Sequence, residues 1–137
     1  MSKKIFVDSN IWLYQLLQTP GETKGSRARD ALMTVDRVMI SHQVLVEVGA
    51  NLVKKAHLPE PKIRQHLSEL LSCCELIPVD GRIVMCASSL REMASLSYWD
   101  SLIIAAALES GCEELWSEDF QHSQLVDGRL RIINPIL

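Results

Sequence analysis

Short apolar runs separated by amphipathic stretches predict strands that alternate with helices along the chain. Five runs predict buried strands, at residues 4–7, 37–40, 75–79, 115–116 and 130–133. Apolar residues recur at helical intervals between them, and predict helices at about 10–17, 26–35, 42–56, after Pro61, 82–93 and 97–111. This order is typical of an α/β domain with a mainly parallel central sheet of about five strands, flanked by helices.

Length and composition fit one globular domain that spans residues 1–137. The chain has 137 residues, of which 47% are hydrophobic and 23% charged, with a formal net charge of −3. A negative chain does not hold nucleic acid through bulk electrostatic attraction. Its charge still allows a nucleic-acid enzyme whose acids bind divalent cations. Only 5% of the residues are aromatic, which argues against base stacking as the main mode of binding.

Targeting signals are not evident in the sequence. The apolar run after Lys3 and Lys4 ends at Asp8, and is too short for the core of a signal peptide. No uncharged apolar stretch approaches the ~18 residues of a membrane span. The four cysteines form no CxxC pair, as expected for reduced thiols. We therefore expect a cytoplasmic protein without a membrane partner.

Acidic residues follow two predicted strands and lie on two predicted helices. Ligands of parallel sheets bind at the carboxyl ends of the strands, where Asp8 follows the first strand and Glu118 and Asp119 follow the fourth. Asp100 begins a helix that is apolar on nearly every face, and Glu47 borders the apolar face of the helix at 42–56. Each acid alone could also cap a helix, occupy a turn or face solvent.

Carboxylates gathered above one sheet edge would repel each other without a cation. Hard oxygen ligands suit Mg²⁺ or Mn²⁺, which can lower the pKa of a bound water and stabilise charge on a phosphate. The topology favours a shared metal and catalytic site, whose expected members are Asp8, Glu47, Asp100 and Asp119.

The chain resembles the PIN-domain family, best known from the VapC-type toxins of toxin–antitoxin pairs. Five segments carry the resemblance in family order and spacing: FVDSNI at 6–11, ISHQVLVE at 40–47, YWDSLIIAAA at 98–107, LWSEDF at 115–120 and NPI at 134–136. Each segment alone is weak, but the ordered set spans almost the whole chain.

The resemblance implies a three-layer PIN-like fold and endonucleolytic cleavage of RNA that depends on Mg²⁺ or Mn²⁺. It also implies a homodimer and, for a toxin, a small antitoxin protein as partner. Metal-binding roles transfer to Asp8, Glu47 and Asp100, and the fourth acid corresponds to Asp119. Four neighbours are expected to support these acids: Ser9, Asn10, Ser117 and Glu118. Whether Glu118 shares the role of Asp119 is left open.

Two other functions compete with a ribonuclease. The first is a catalytically weak RNA- or protein-binding module on the same fold, which the complete set of four acids disfavours. The second is a phosphotransfer enzyme with Asp8 as nucleophile, for which an Asp-x-Asp motif would be expected instead of Asp8-Ser9-Asn10. The tryptophans, Trp12, Trp99 and Trp116, lie in predicted core elements, so we expect them to pack inside the protein rather than stack on RNA.

Overall fold

The computed structural model describes residues 3–137, and within this range the chain forms six strands and six helices. The strands are β1 (Lys4–Val7), β2 (Arg37–Ser41), β3 (Glu75–Ile77), β4 (Glu114–Trp116), β5 (Leu125–Val126) and β6 (Leu130–Ile133). The helices are α1 (Ser9–Leu16), α2 (Lys24–Leu32), α3 (His42–Lys54), α4 (Glu60–Cys73), α5 (Gly81–Met93) and α6 (Tyr98–Glu109).

The strands form one sheet in the order β3-β2-β1-β4-β6-β5. All neighbouring strands are parallel except β5, which runs antiparallel to β6 at one edge. The predicted mainly parallel sheet is therefore confirmed, with β5 as a sixth strand that the sequence pattern did not reveal. Phe6, Val7, Ile40 and Leu115 are fully buried in its central strands, where both faces are covered.

The helices pack in two groups on the sheet. Helix α1 contacts α2 and α3, and α3 contacts α4, while α5 packs against α6. Helices α3 and α6 both contact β2. The result is the expected three-layer PIN-like arrangement, with the sheet as the middle layer.

Helix α6 is the internal helix that its apolar sequence predicts. Its residues from Ser101 to Leu108 are all buried, so the helix is covered on every side over two turns. Ser97 caps it by accepting a 3.0 Å hydrogen bond from the backbone N–H of Asp100. None of the helices in residues 3–137 has the length and apolar character needed to cross a bilayer.

Two elements differ from the sequence prediction for local physical reasons. Strand β3 ends at Ile77 rather than at residue 79, because Pro78 has no N–H to donate to a neighbouring strand. Helix α2 begins at Lys24 rather than after Ser26. This earlier start places Gly25 against α1, where an added Cβ would lie 2.7 Å from the backbone oxygen of Tyr14.

Candidate active site

Asp8 lies at the point where two adjacent strands end. Val7 pairs with Trp116 in the parallel register of β1 and β4, so the next residues, Asp8 and Ser117, meet at the same sheet edge. The Asp8 side chain is only 4% exposed. Its Oδ1 accepts a 2.7 Å bond from the backbone N–H of Ser9, and its Oδ2 accepts a 2.8 Å bond from the Ser117 hydroxyl. Asp8 is therefore the N-cap of α1 as well as a buried carboxylate.

The surroundings of Asp8 favour its protonated form when no cation is bound. Burial raises the pKa of Asp8 to about 7, and the charges of Glu47 and Asp119 raise it further. The hydrogen bonds from Ser117 and Ser9 act in the opposite direction but do not offset the burial. The main electrostatic feature of this sheet edge is thus the buried carboxyl of Asp8, which lies near the acids Glu47 and Asp119.

Glu47 reaches the same edge from α3. Its Oε2 accepts a 2.8 Å bond from the Ser9 hydroxyl, which also lies 3.5 Å from Oδ1 of Asp8. Its Oε1 accepts a 2.9 Å bond from the amide of Gln43, one turn earlier on the helix. Ser9 therefore connects Asp8 to Glu47.

Asp119 and Asp100 extend the acidic site. Partial burial raises the pKa of Asp119, a hydrogen bond from the Asn10 side chain lowers it, and the charge of Asp100 raises it again. The Ser117 hydroxyl accepts a 3.1 Å bond from the backbone N–H of Asp119. Asp100 is half-buried in the first turn of α6. The acids thus affect each other's pKa values: the charge of Asp119 raises the pKa of Asp8, and the charge of Asp100 raises the pKa of Asp119.

Glu118 differs from Asp119 in its side-chain partners. Its Oε1 accepts a 2.8 Å bond from the Tyr14 hydroxyl, and its Oε2 lies 3.5 Å from the Lys24 ammonium. Its backbone N–H donates to the Asn10 side chain at 3.4 Å. The Glu118 carboxylate is therefore engaged by α1 and α2, whereas Asp119 remains coupled to the other acids.

The donor set at this edge fits a hard divalent cation. Across residues 3–137, no three acidic, histidine or cysteine side chains are already arranged to hold one ion. Mg²⁺ commonly uses one or two carboxylates and keeps several waters, a requirement that the carboxylates of Asp8, Glu47, Asp100 and Asp119 can meet. A cation among them would also stabilise the ionised form of Asp8, which burial and the neighbouring charges disfavour.

Gln43 has a role that sequence reasoning missed. Its amide nitrogen donates to Glu47 and also, at 3.1 Å, to the backbone carbonyl of Trp99, the residue before Asp100. Gln43 thereby connects α3 to the start of α6. Its own oxygen is buried and has no hydrogen-bond partner in the described part of the chain. The only sequence signal was its position one turn from Glu47, which also suits a solvated helix face.

Trp99 corrects the expectation that all the tryptophans pack inside. Trp12 and Trp116 are buried, at 5% and 7% exposure, but Trp99 is 63% exposed. The apolar helix that predicted its burial becomes internal only from Ser101 onward.

Comparisons with known proteins agree with the fold. The PIN-domain family model matches residues 5–127. Comparison with curated proteins gives no match.

Three solved structures illustrate the similarity. VapBC2 from Rickettsia felis, bound to a DNA fragment from its promoter, is 17% identical with a TM-score of 0.73, and the match covers 96% of this chain and 99% of that chain. A toxin–antitoxin complex from Klebsiella pneumoniae is 23% identical with a TM-score of 0.71, covering 96% and 97%. VapC20 from Mycobacterium tuberculosis, described as a toxin that cleaves the sarcin–ricin loop, is 18% identical with a TM-score of 0.68, covering 84% and 89%. These structures share the fold, and the family match over most of the sequence shows that the chain belongs to the PIN-domain family.

Proposed function

We propose that this protein is a metal-dependent endoribonuclease that hydrolyses RNA phosphodiester bonds at the acidic sheet edge. The observation that carries the proposal is the environment of Asp8, a buried carboxylate whose pKa is raised by burial and by the neighbouring acids Glu47 and Asp119. An arrangement of this kind is costly for a protein that only needs a helix cap. It suits a site that binds a divalent cation.

The proposed ligands of Mg²⁺ or Mn²⁺ are Asp8, Glu47, Asp100 and Asp119. When bound, the cation would make water a stronger nucleophile and offset the charge that develops on the phosphate. The hydroxyls of Ser9 and Ser117 fix the carboxylates of Glu47 and Asp8 through 2.8 Å bonds. Such prepositioned groups need little reorganisation during the reaction.

Asn10 links helix α1 to the loop that follows β4. Its amide nitrogen donates to the Ser117 hydroxyl at 3.3 Å, and its oxygen accepts the backbone N–H of Glu118. The start of α1 is thereby attached to the loop after β4, which carries Asp119. We propose that Asn10 and Ser117 position the acids of the site. Glu118 lies in the same loop, and its side chain binds Tyr14 and Lys24.

Family membership and the solved structures support an RNA substrate. VapC20, which shares the fold, is described as cleaving the sarcin–ricin loop, and PIN-domain nucleases generally depend on divalent ions. Several of the similar structures are toxin–antitoxin complexes. We therefore propose that the protein pairs with a small antitoxin, and from the family resemblance we propose that it forms a homodimer. Sedimentation of the purified chain, alone and with the product of the neighbouring reading frame, tests both statements.

A cleavage assay tests the proposed activity. Purified protein is incubated with structured RNAs and tRNAs in EDTA, Mg²⁺ or Mn²⁺. We expect cleavage only with the metals, and ends with a 5′-phosphate and a 3′-hydroxyl. Asp8→Asn and Asp100→Asn should each lower the rate on the order of 10²–10³-fold.

Asp30→Asn is the matched control, because Asp30 is an acid on α2 whose side chain is 74% exposed. It should cleave like the wild type. Metal-independent cleavage with 2′,3′-cyclic phosphate ends would overturn the mechanism. Full activity of Asp100→Asn would remove that residue from the site, and RNA binding without cleavage would support the weak binding module instead.

A further inference from the structure

Two exposed aromatic side chains stand at the start of α6, directly before Asp100. Trp99 is 63% and Tyr98 49% exposed. Their rings meet edge to face, with centroids 5.4 Å apart. Apolar side chains that are exposed next to each other mark interaction sites more often than isolated ones do, and the core packing of α6 does not use these two.

Hydrogen bonds connect the aromatic pair to the acidic site. Gln43 donates one amide hydrogen to the carbonyl of Trp99 and the other to the carboxylate of Glu47. Gln43 therefore fixes the Trp99 backbone relative to Glu47, one of the proposed metal ligands. Trp99 also directly precedes Asp100, another proposed ligand.

Arg91 holds the second ring from α5. Its guanidinium lies 4.5 Å from the centroid of the Tyr98 ring and donates a 2.8 Å bond to the hydroxyl of Ser101. The Ser101 hydroxyl in turn donates to the carbonyl of Tyr98 at 2.6 Å. The aromatic pair thus has a fixed cation beside it, which complements a phosphate-bearing ligand.

From this geometry we propose that Trp99, supported by Tyr98, is a stacking subsite for one unpaired base of single-stranded RNA next to the acidic site. The proposal rests on the proposed ribonuclease function and names how its substrate is held. The chain has a net charge of −3, so bulk attraction to phosphates is unavailable. Stacking supplies affinity that is tolerant of sequence, because every base has a π-face.

Binding of short oligonucleotides tests the subsite without requiring cleavage. The probes are a ten-nucleotide oligoadenylate and an abasic strand of the same length, which keeps the phosphates but lacks bases. Trp99→Ala should weaken binding of the oligoadenylate roughly 5- to 150-fold, the range that corresponds to the stacking of one base. Trp99→Phe should retain most of the affinity. The abasic strand should bind wild type and Trp99→Ala equally.

Fluorescence gives a second measurement. Because Trp12 and Trp116 are buried, quenching by the oligoadenylate should come from Trp99 and should vanish in Trp99→Phe while binding persists. Met33→Ala is the matched control for loss of exposed apolar surface. Met33 is 79% exposed and directly follows α2, four residues before β2 begins. This variant should bind and quench like the wild type.

Four results would overturn the subsite. They are unchanged oligoadenylate binding in Trp99→Ala, equal losses for the base-bearing and abasic strands, no binding of oligoadenylate by the wild type, and a change in self-association without a change in RNA binding. The last result would assign the ring to a protein interface. A wild type that cleaves RNA, together with a Trp99→Ala variant of unchanged KM and affinity, would reject the subsite but keep the proposed function. Oligoadenylate binding that depends on Trp99, in a protein that cleaves no RNA, would keep the subsite but reject the proposed function.

Discussion

The Ser117 hydroxyl donates a 2.8 Å hydrogen bond to Oδ2 of Asp8, although the two residues are 109 positions apart in the chain. Ser117 is fully buried, and the same hydroxyl accepts the backbone N–H of Asp119. One side chain therefore links the first acid of the site to the loop that carries the last.

Ser117→Ala should destabilise the protein, because it removes every hydrogen bond of this hydroxyl. The change leaves a buried carboxylate oxygen, the Asn10 amide and a backbone N–H without their shared partner, at a cost of about 1–3 kcal/mol in the free energy of unfolding. Urea denaturation measures the effect. Ser72→Ala is the control, because the Ser72 hydroxyl makes one exposed bond to the carbonyl of Glu69. It should cost under about 0.5 kcal/mol, and equal losses in the two variants would contradict the linking role of Ser117.

The stability of the metal-free protein should depend on pH through Asp8. Its pKa is about 7 in the folded protein against an ordinary value of 3.8. Between these values the folded state holds a proton that the unfolded chain has lost. The contribution of Asp8 to stability is therefore complete below pH 4 and is lost as the pH rises through about 7.

Asp8→Asn isolates this contribution. In EDTA, the variant should gain stability relative to wild type as the pH rises from 4 to 7, and the difference should level off at higher pH. Thermal denaturation of both proteins in matched buffers gives the curves. A difference that stays constant over this range would show that the Asp8 carboxyl titrates with its ordinary pKa.

Divalent ions should stabilise the wild-type protein. An ion that binds only the folded state raises the free energy of unfolding by about 2.7 kcal/mol at 100 times its Kd. Millimolar Mg²⁺ or Mn²⁺ should therefore raise the Tm, and Asp8→Asn or Asp100→Asn should reduce the rise. Asp30→Asn should respond like the wild type. The same Tm with and without metal in the wild type would remove the main support for a shared site.

Asp119 and Glu118 should differ sharply in their effect on cleavage. Asp119→Asn removes a carboxylate that is coupled to Asp100 and Glu47, and should lower the rate on the order of 10²–10³-fold. Glu118→Gln keeps an acceptor for Tyr14 and loses a partly exposed ion pair with Lys24. Such a pair contributes about 0–1 kcal/mol, so cleavage should stay within about tenfold of the wild type. Single-turnover rates compare the variants, and a reversed order would exchange the roles of the two acids.

The sequence could predict most of the sheet and the meeting of Asp8 with the loop after β4, because both follow from short-range patterns. Apolar runs mark the strands, and in a parallel sheet their carboxyl ends meet, which brings Asp8 and the loop after β4 together. Strand β5 could not be predicted in this way. It has two residues and lies at an edge, where Leu125 is 46% exposed.

The finer assignments depend on partners far away in the chain. Nothing in the Ser117-Glu118-Asp119 segment reveals that Tyr14 and Lys24 hold the middle carboxylate. Gln43 resembles any polar residue one turn from an acid until the start of α6 is seen beside it. Trp99 belongs to an apolar segment, but it lies in the first turn of α6, before the part of the helix that enters the core.

The close approach of α2 to α1 has a consequence for how the chain can vary. At Gly25 an added methyl group would meet the Tyr14 backbone oxygen at 2.7 Å and the Gln18 side chain at 2.8 Å, so α1 would have to shift. The first turn of that helix carries Ser9 and Asn10, which hold Glu47 and the loop after β4. Position 25 is therefore restricted to the smallest side chain. A residue that contacts none of the acids thus limits which sequences can keep them in place.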